Sequence, residues 1–152
     1  MRFRVIAEEE TDFNTWMESM KTPPKMDTSE GYGLFLAHCS MCHSIDSYNE
    51  GSYEKELTMQ DERWDDWYFN QEESVRVSAP NLTHLGIRSM LAAGQKDMTK
   101  ENLITWIKDP SEFKQGTRMQ SVASVYKGGP AKLEDYEIEA IADYLLAQIP
   151  DG

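Results

Sequence analysis

A chain of 152 residues with 39% hydrophobic side chains and a formal charge of -12, from 15 basic against 27 acidic residues, is long enough for one domain that removes roughly 68–70% of the unfolded surface from water. Such a core needs no disulfide, although the modest apolar content leaves room for a bound group to fill part of the interior. The acidic balance and the lack of Lys and Arg clusters argue against a nucleic-acid partner, no run of roughly eighteen apolar residues offers a membrane span, and the opening "MRFRVIAEEE" lacks the apolar stretch of a signal peptide.

In chain order, "RFRVIAEE" reads as a short strand and "TDFNTWMESM" as a short helix with Thr11 as N-cap. Pro23 and Pro24 then stop any helix and form a stiff linker, so the main domain is expected to begin near Met26. Asp27 with Glu30 three residues later resembles a capping box opening a helix that carries Leu34, Phe35 and Ala37 into "HCSMCH". Residues 44–79 form an acidic insertion with ten Asp or Glu, three Lys or Arg and six aromatics. Trp64, Trp67 and Tyr68 stand there at the spacing of one short amphipathic helix.

Beyond it, "APNLTHLGIRSMLAAG" is expected to turn and then run as a helix from Leu85 to Ala93, stopped by Gly94. In "TKENLITWIKDP", Thr99 caps, Leu103, Trp106 and Ile107 share a face, and Pro110 ends the helix. In the last helix Ile138, Ile141, Leu145 and Gln148 or Ile149 form one stripe, closed by Pro150. Helices dominate, and there is no internal repeat.

Cys39 and Cys42 are the only cysteines, and His43 follows them directly. On a helical turn, residues at i, i+3 and i+4 share a face. Two thiols can therefore form thioethers with both vinyl groups of a haem while the imidazole binds its iron. Structural zinc needs four ligands, and His38 and His84 supply no second spaced pair. A redox dithiol would need a βαβ pattern that is absent, and chance occurrence remains the plain alternative for five letters. His38 precedes Cys39 and points to another face than His43, as a surface or supporting residue.

With His43 on one side of an iron, the other side decides between electron transfer and ligand binding. Met41 lies between the cysteines, and Met90 and Met98 lie in or just after a helix. Met119 stands apart in "KQGTRMQS", a Gly-containing loop that could swing a thioether over a haem. His84 is the other candidate.

Residues 27–149 resemble the class I cytochrome c family through several motifs in the expected order. "GYGLFLAHCSMCH" is similar to its first helix, with Gly31 and Phe35 where that helix crosses the last one, and "IADYLLAQ" supplies the partner face with Tyr144 and Leu145. The resemblance implies an all-α class I cytochrome c fold, its helices packed around one covalently attached haem c. It implies that Pro80 gives its carbonyl to the His43 ring N–H, that Leu82 packs on the haem, that Met119 is the axial sulfur, and that Arg88 and Trp106 contact a propionate. Two features depart from the pattern: the long 44–79 insertion, and Gln120 where Pro often follows the axial Met.

The first twenty residues resemble the end of the copper-binding domain of cytochrome c oxidase subunit II, which in caa-type haem-copper oxidases continues into a cytochrome c domain. This implies a division into residues 1–26, the tail of that domain plus the Pro linker, and 27–152, the haem domain. Met1 matches the copper-ligating Met of that family, but the other copper ligands are absent from the chain, and no copper is assigned. The implied role is electron transfer rather than catalysis by this domain. A soluble protein would donate the electrons, and the copper centre of the same subunit, alongside other oxidase subunits, would receive them. The place would be the outer face of the bacterial cytoplasmic membrane, with membrane attachment only through the parent subunit. Lys114 and Lys127 would edge the docking face. A free-standing cytochrome, or a haem enzyme or gas sensor with an open sixth position, are the alternatives.

Overall fold

The computed structural model describes residues 4–24, 28–45 and 79–150. Met1, Asp27 and most of the acidic insertion, with its expected helix around Trp64, lie outside them. Among the described residues the α-helices are α1 (Glu10–Ser19), α2 (Glu30–His38), α3 (Lys100–Lys108), α4 (Arg118–Val122) and α5 (Asp135–Leu146). One antiparallel pair joins β1 (Met90–Leu91) to β2 (Lys96–Asp97), with Met90 opposite Asp97 and Leu91 opposite Lys96.

The core is organised by α2 and α3, which both pack on α5. At the α2–α5 crossing a side chain at Gly31 would collide with the Ala140 carbonyl and place its Cβ 2.8 Å from Tyr144 Cβ. Only glycine lets the two backbones approach this closely. Tyr144 then fills the space beside the crossing, its ring centroid 5.5 Å from Phe35 and 5.6 Å from Tyr32, in the tilted arrangement that aromatic pairs prefer. Leu103 and Ile107 bury the inner face of α3, and Ile138, Ile141 and Leu145 that of α5, each such side chain contributing about 1.5–3 kcal/mol relative to exposure.

Local chemistry sets the helix ends. Thr99 caps α3 by accepting from Asn102 N–H at 3.2 Å, as its position before the apolar stripe implies. Glu137 accepts the Glu134 N–H at 2.8 Å where α5 begins. The cap of α2 is Ser29 rather than Asp27, its hydroxyl accepting from Tyr32 N–H at 3.3 Å. α1 starts at Glu10 with Glu9 as N-cap, ahead of the expected Thr11, which brings Glu10 and Asp12 into the first turn where the helix dipole favours negative charge.

Three expectations are corrected. Residues 4–9 form no strand, because a strand needs a ladder partner and here Arg4 reaches the rest of the protein through an ion pair with Asp97 at 3.6 Å. The helix expected from Leu85 to Ala93 is a single 3-10 turn, Leu85–Ile87, followed by the β1–β2 hairpin. Ala92, Ala93 and Gly94 take φ of 54, 58 and 82° to make that hairpin's turn, so the helix propensity of "MLAAG" yields to the burial of Leu91 and Ala92 in the core. Finally, α5 ends at Leu146 with Ala147 as C-cap, ahead of Pro150. Gln148 beyond it is still buried, its amide donating to the Tyr144 carbonyl at 3.0 Å and its own carbonyl receiving Gly86 N–H at 3.0 Å.

The N-terminal segment is tied to this body. His84 Nε2 donates to the Thr22 carbonyl at 2.8 Å, and Pro24 forms an isolated antiparallel bridge with Pro150. α1 itself buries no residue.

Candidate functional site

Where α2 ends, the chain keeps turning. Cys39 N–H bonds to the Phe35 carbonyl at 2.8 Å, and Cys42 and His43 N–H both bond to the Cys39 carbonyl, at 3.0 and 2.9 Å. These successive turns put Cys39, Cys42 and His43 on one wall of a cavity of about 720 Å³, within the size range of small-molecule and cofactor sites. Burial, and secondarily Cys42, pushes the Cys39 thiol up to about 11, so it stays protonated at neutral pH.

A second segment fixes the imidazole. Leu82 N–H bonds to the Ser44 carbonyl at 2.8 Å, and His43 Nδ1 lies 2.8 Å from the Pro80 carbonyl oxygen. A carbonyl only accepts, so Nδ1 carries the proton and Nε2 keeps its lone pair free for a metal. The turn bearing Pro80 is itself stapled. Asn81 Oδ1 accepts Thr83 N–H at 2.7 Å, and Arg88 Nη2 donates to the Asn81 and Thr83 carbonyls at 2.8 and 3.0 Å. Arg88 therefore holds the turn that holds His43, a role its sequence position did not reveal.

Met119 is brought to the cavity by a different segment of the chain. It sits on the short helix α4 and not in a loop as expected, and it lines the same cavity, as do Leu82, Arg88 and Trp106. The Trp106 ring stacks on Phe113 at 6.4 Å. His84 does not line the cavity. It is buried, in the left-handed region at φ 55°, with its Nε2 occupied by Thr22. Lys114 lines the cavity and is exposed, whereas the Lys127 ammonium donates to the Ser121 carbonyl.

Two cavity residues were missed in the sequence. Thr117 lines the cavity, and its buried Oγ1 has no hydrogen-bond partner among the described residues. A buried hydroxyl left so costs about 1–3 kcal/mol, and a group in the cavity bearing an acceptor would relieve it. The Gly-Thr pair just before Met119 was the available signal. Tyr126 lines the cavity too, and its hydroxyl donates to the Ile107 carbonyl at 2.8 Å; burial raises its pKa. Nothing local to "SVYKGG" announces that bond.

The donor set suits a haem: two thiols, a tautomer-fixed imidazole and a thioether line one cavity, with apolar surroundings and an unsatisfied hydroxyl. Among the described residues no group of three or more His, Cys, Asp or Glu side chains is gathered for a metal ion. The family model for cytochrome c matches residues 28–148. The chain belongs to the cytochrome c family. Its all-α class I fold and Cys-x-x-Cys-His motif agree with covalent haem attachment.

This cytochrome c domain is also similar to proteins named cytochrome c oxidase subunit 2. It is 30% identical over 150 residues to that of Bacillus subtilis (strain 168), covering 95% of this chain and 34% of the relative. The match to that of Bacillus sp. (strain PS3) is 28% over 152 residues, 97% of this chain and 35% of the relative. With that of Alkalihalophilus pseudofirmus identity is 23% over 150 residues. The chain spans about a third of the length of these curated relatives. Among the described residues no helix is long and apolar enough to cross a membrane.

Proposed function

We propose that this cytochrome c domain relays single electrons through one haem c, bound covalently by Cys39 and Cys42 with His43 and Met119 as axial ligands, from a soluble donor protein to the copper centre of a cytochrome c oxidase subunit II. The observation that carries the reading is the convergence of Cys39, Cys42, His43 and Met119 on one cavity, with His43 Nδ1 bonded to Pro80. A haem held there supplies a one-electron ferric/ferrous couple whose potential follows its axial ligands and its burial.

The chain's own residues would do the rest. Pro80 keeps the His43 proton on Nδ1, so Nε2 is a neutral donor and no proton need move when charge changes. Met119 offers a soft, neutral sulfur that favours the reduced form relative to harder ligands. Leu82 and Leu85 would keep water from the cavity walls, and Thr117 Oγ1, Arg88 and Trp106 would be the polar groups that meet propionates. Lys114 and Arg118 line the mouth and are exposed; in a chain of charge -12 they would steer an acidic patch of a partner toward that edge.

The similarity to subunit 2 proteins supports the acceptor and the outer face of the cytoplasmic membrane as the place of work. It also supports a division in which residues 1–26 end the preceding domain and 27–152 form the haem domain, with attachment to the membrane through the parent subunit. The test is a mediated redox titration of the purified haem-bearing protein, followed by rapid mixing of the longer parent protein with a reduced donor. The expected result is a single one-electron wave, then haem reduction preceding copper reduction. A haem that stays oxidised while the copper is reduced would overturn the relay, and peroxide turnover by the domain would favour an enzyme instead.

A further inference from the structure

The helix bearing Met119 has little to hold it. α4 is five residues long, buries no residue, and its N-cap Thr117 makes no capping bond. So short a helix is not stable by propensity, and its position must come from contacts to its neighbours. One is made by the residue next to the methionine. Gln120 Nε2 donates to Asp109 Oδ1 at 2.8 Å. The Asp109 oxygen is itself fixed, because it also accepts Ser111 N–H at 2.9 Å and Ser111 Oγ–H at 2.6 Å.

Successive residues on a helix point about 100° apart. Met119 can therefore face the cavity while Gln120 reaches back to Asp109, the C-cap of α3. Asp109 directly follows the helix that carries Trp106 on the cavity wall. The Gln120–Asp109 bond thus ties the end of α3 to the backbone of the methionine. A proline at 120 would have no such donor, which gives Gln120 a task of its own in this chain.

We infer that Gln120 is a positioning residue for Met119: through its bond to Asp109 it sets how firmly the methionine sulfur is presented to the cavity, and so how readily that ligand is released. This rests on the reading of Met119 as the axial ligand. The consequence is specific to Met119, since the Gln120 side-chain bond runs to Asp109, and no hydrogen bond among the described residues joins it to Cys39, Cys42 or His43.

The test uses the haem-bearing chain and carbon monoxide as probe, because carbon monoxide binds the reduced iron only after the sulfur has left. Gln120→Leu removes the donor at similar volume. It should speed carbon monoxide binding by about tenfold, the size of one lost bond to a charged acceptor, lower the potential, and weaken the sulfur-to-iron charge-transfer band, with the haem still attached. Gln120→Lys, whose ammonium can reach the same carboxylate, should bring all three back toward the parent values. In a Met119→Ala background Gln120→Leu should change the rate no further. If Met119→Ala leaves the charge-transfer band in place, the axial reading itself fails. If Met119→Ala abolishes the band but Gln120→Leu leaves the rate, band and potential at parent values, or Gln120→Lys behaves like Gln120→Leu, the positioning role alone is overturned.

Discussion

The two walls of the cavity are built in different ways. The wall of Cys39 and His43 hangs from α2, which is locked to α5 through Gly31, Phe35 and Tyr144, all buried. The wall of Met119 hangs from a five-residue helix with no buried side chain, held by Gln120 to Asp109 and, a few residues on, by Tyr126 to Ile107. Packing distributes its energy over many atoms and resists single changes in geometry. A few hydrogen bonds, each worth about 1 kcal/mol net, can be opened one at a time. If the proposed ligation holds, the Met119 sulfur is the ligand that should loosen first, with the attachment through Cys39 and Cys42 unaffected.

Mutations can break this contrast. Phe35→Ala should have the largest effect, a loss of about 4 kcal/mol read as a lowered denaturation midpoint. A cost under about 1 kcal/mol would mean that the α2–α5 crossing is not what holds the first wall. Tyr126→Phe removes one hydroxyl and should cost about 1 kcal/mol; it tests the second wall with its packing otherwise kept, and a cost comparable to Phe35→Ala would erase the distinction. Smallest, and of opposite sign, Ala93→Gly should stabilise by a few tenths to about 1 kcal/mol. It relieves an exposed alanine held at φ 58° at the price of a more flexible unfolded chain. A loss of stability there would show that the hairpin turn carries no strain.

The same contrast governs what could be read from the sequence. α2, α3 and α5 were legible, because apolar periodicity and Thr99 at a helix start are local signals that agree with the tertiary packing, while the crossing at Gly31 and Phe35 was implied only by the family resemblance. The Cys-x-x-Cys-His run was legible for the same reason. The hairpin at Met90–Asp97 was not, since Ala92 and Ala93 adopt left-handed backbone that their side chains do not favour, and the burial of Leu91 and Ala92 in the finished core offsets that cost. Nor was the short helix around Met119, which is too short to show a period and takes its place from the bond of Gln120 to Asp109, 11 residues away in the chain. His84 was ambiguous until the structure gave its Nε2 to Thr22, a partner 62 residues distant.

The most direct measurement is the absorption spectrum of the oxidised haem-bearing protein beside that of Met119→Ala. The parent should show a weak sulfur-to-iron charge-transfer band that disappears in the variant, while the haemochrome spectrum still reports two thioether bonds in both. A band that survives in Met119→Ala, or a parent protein without one, would contradict it.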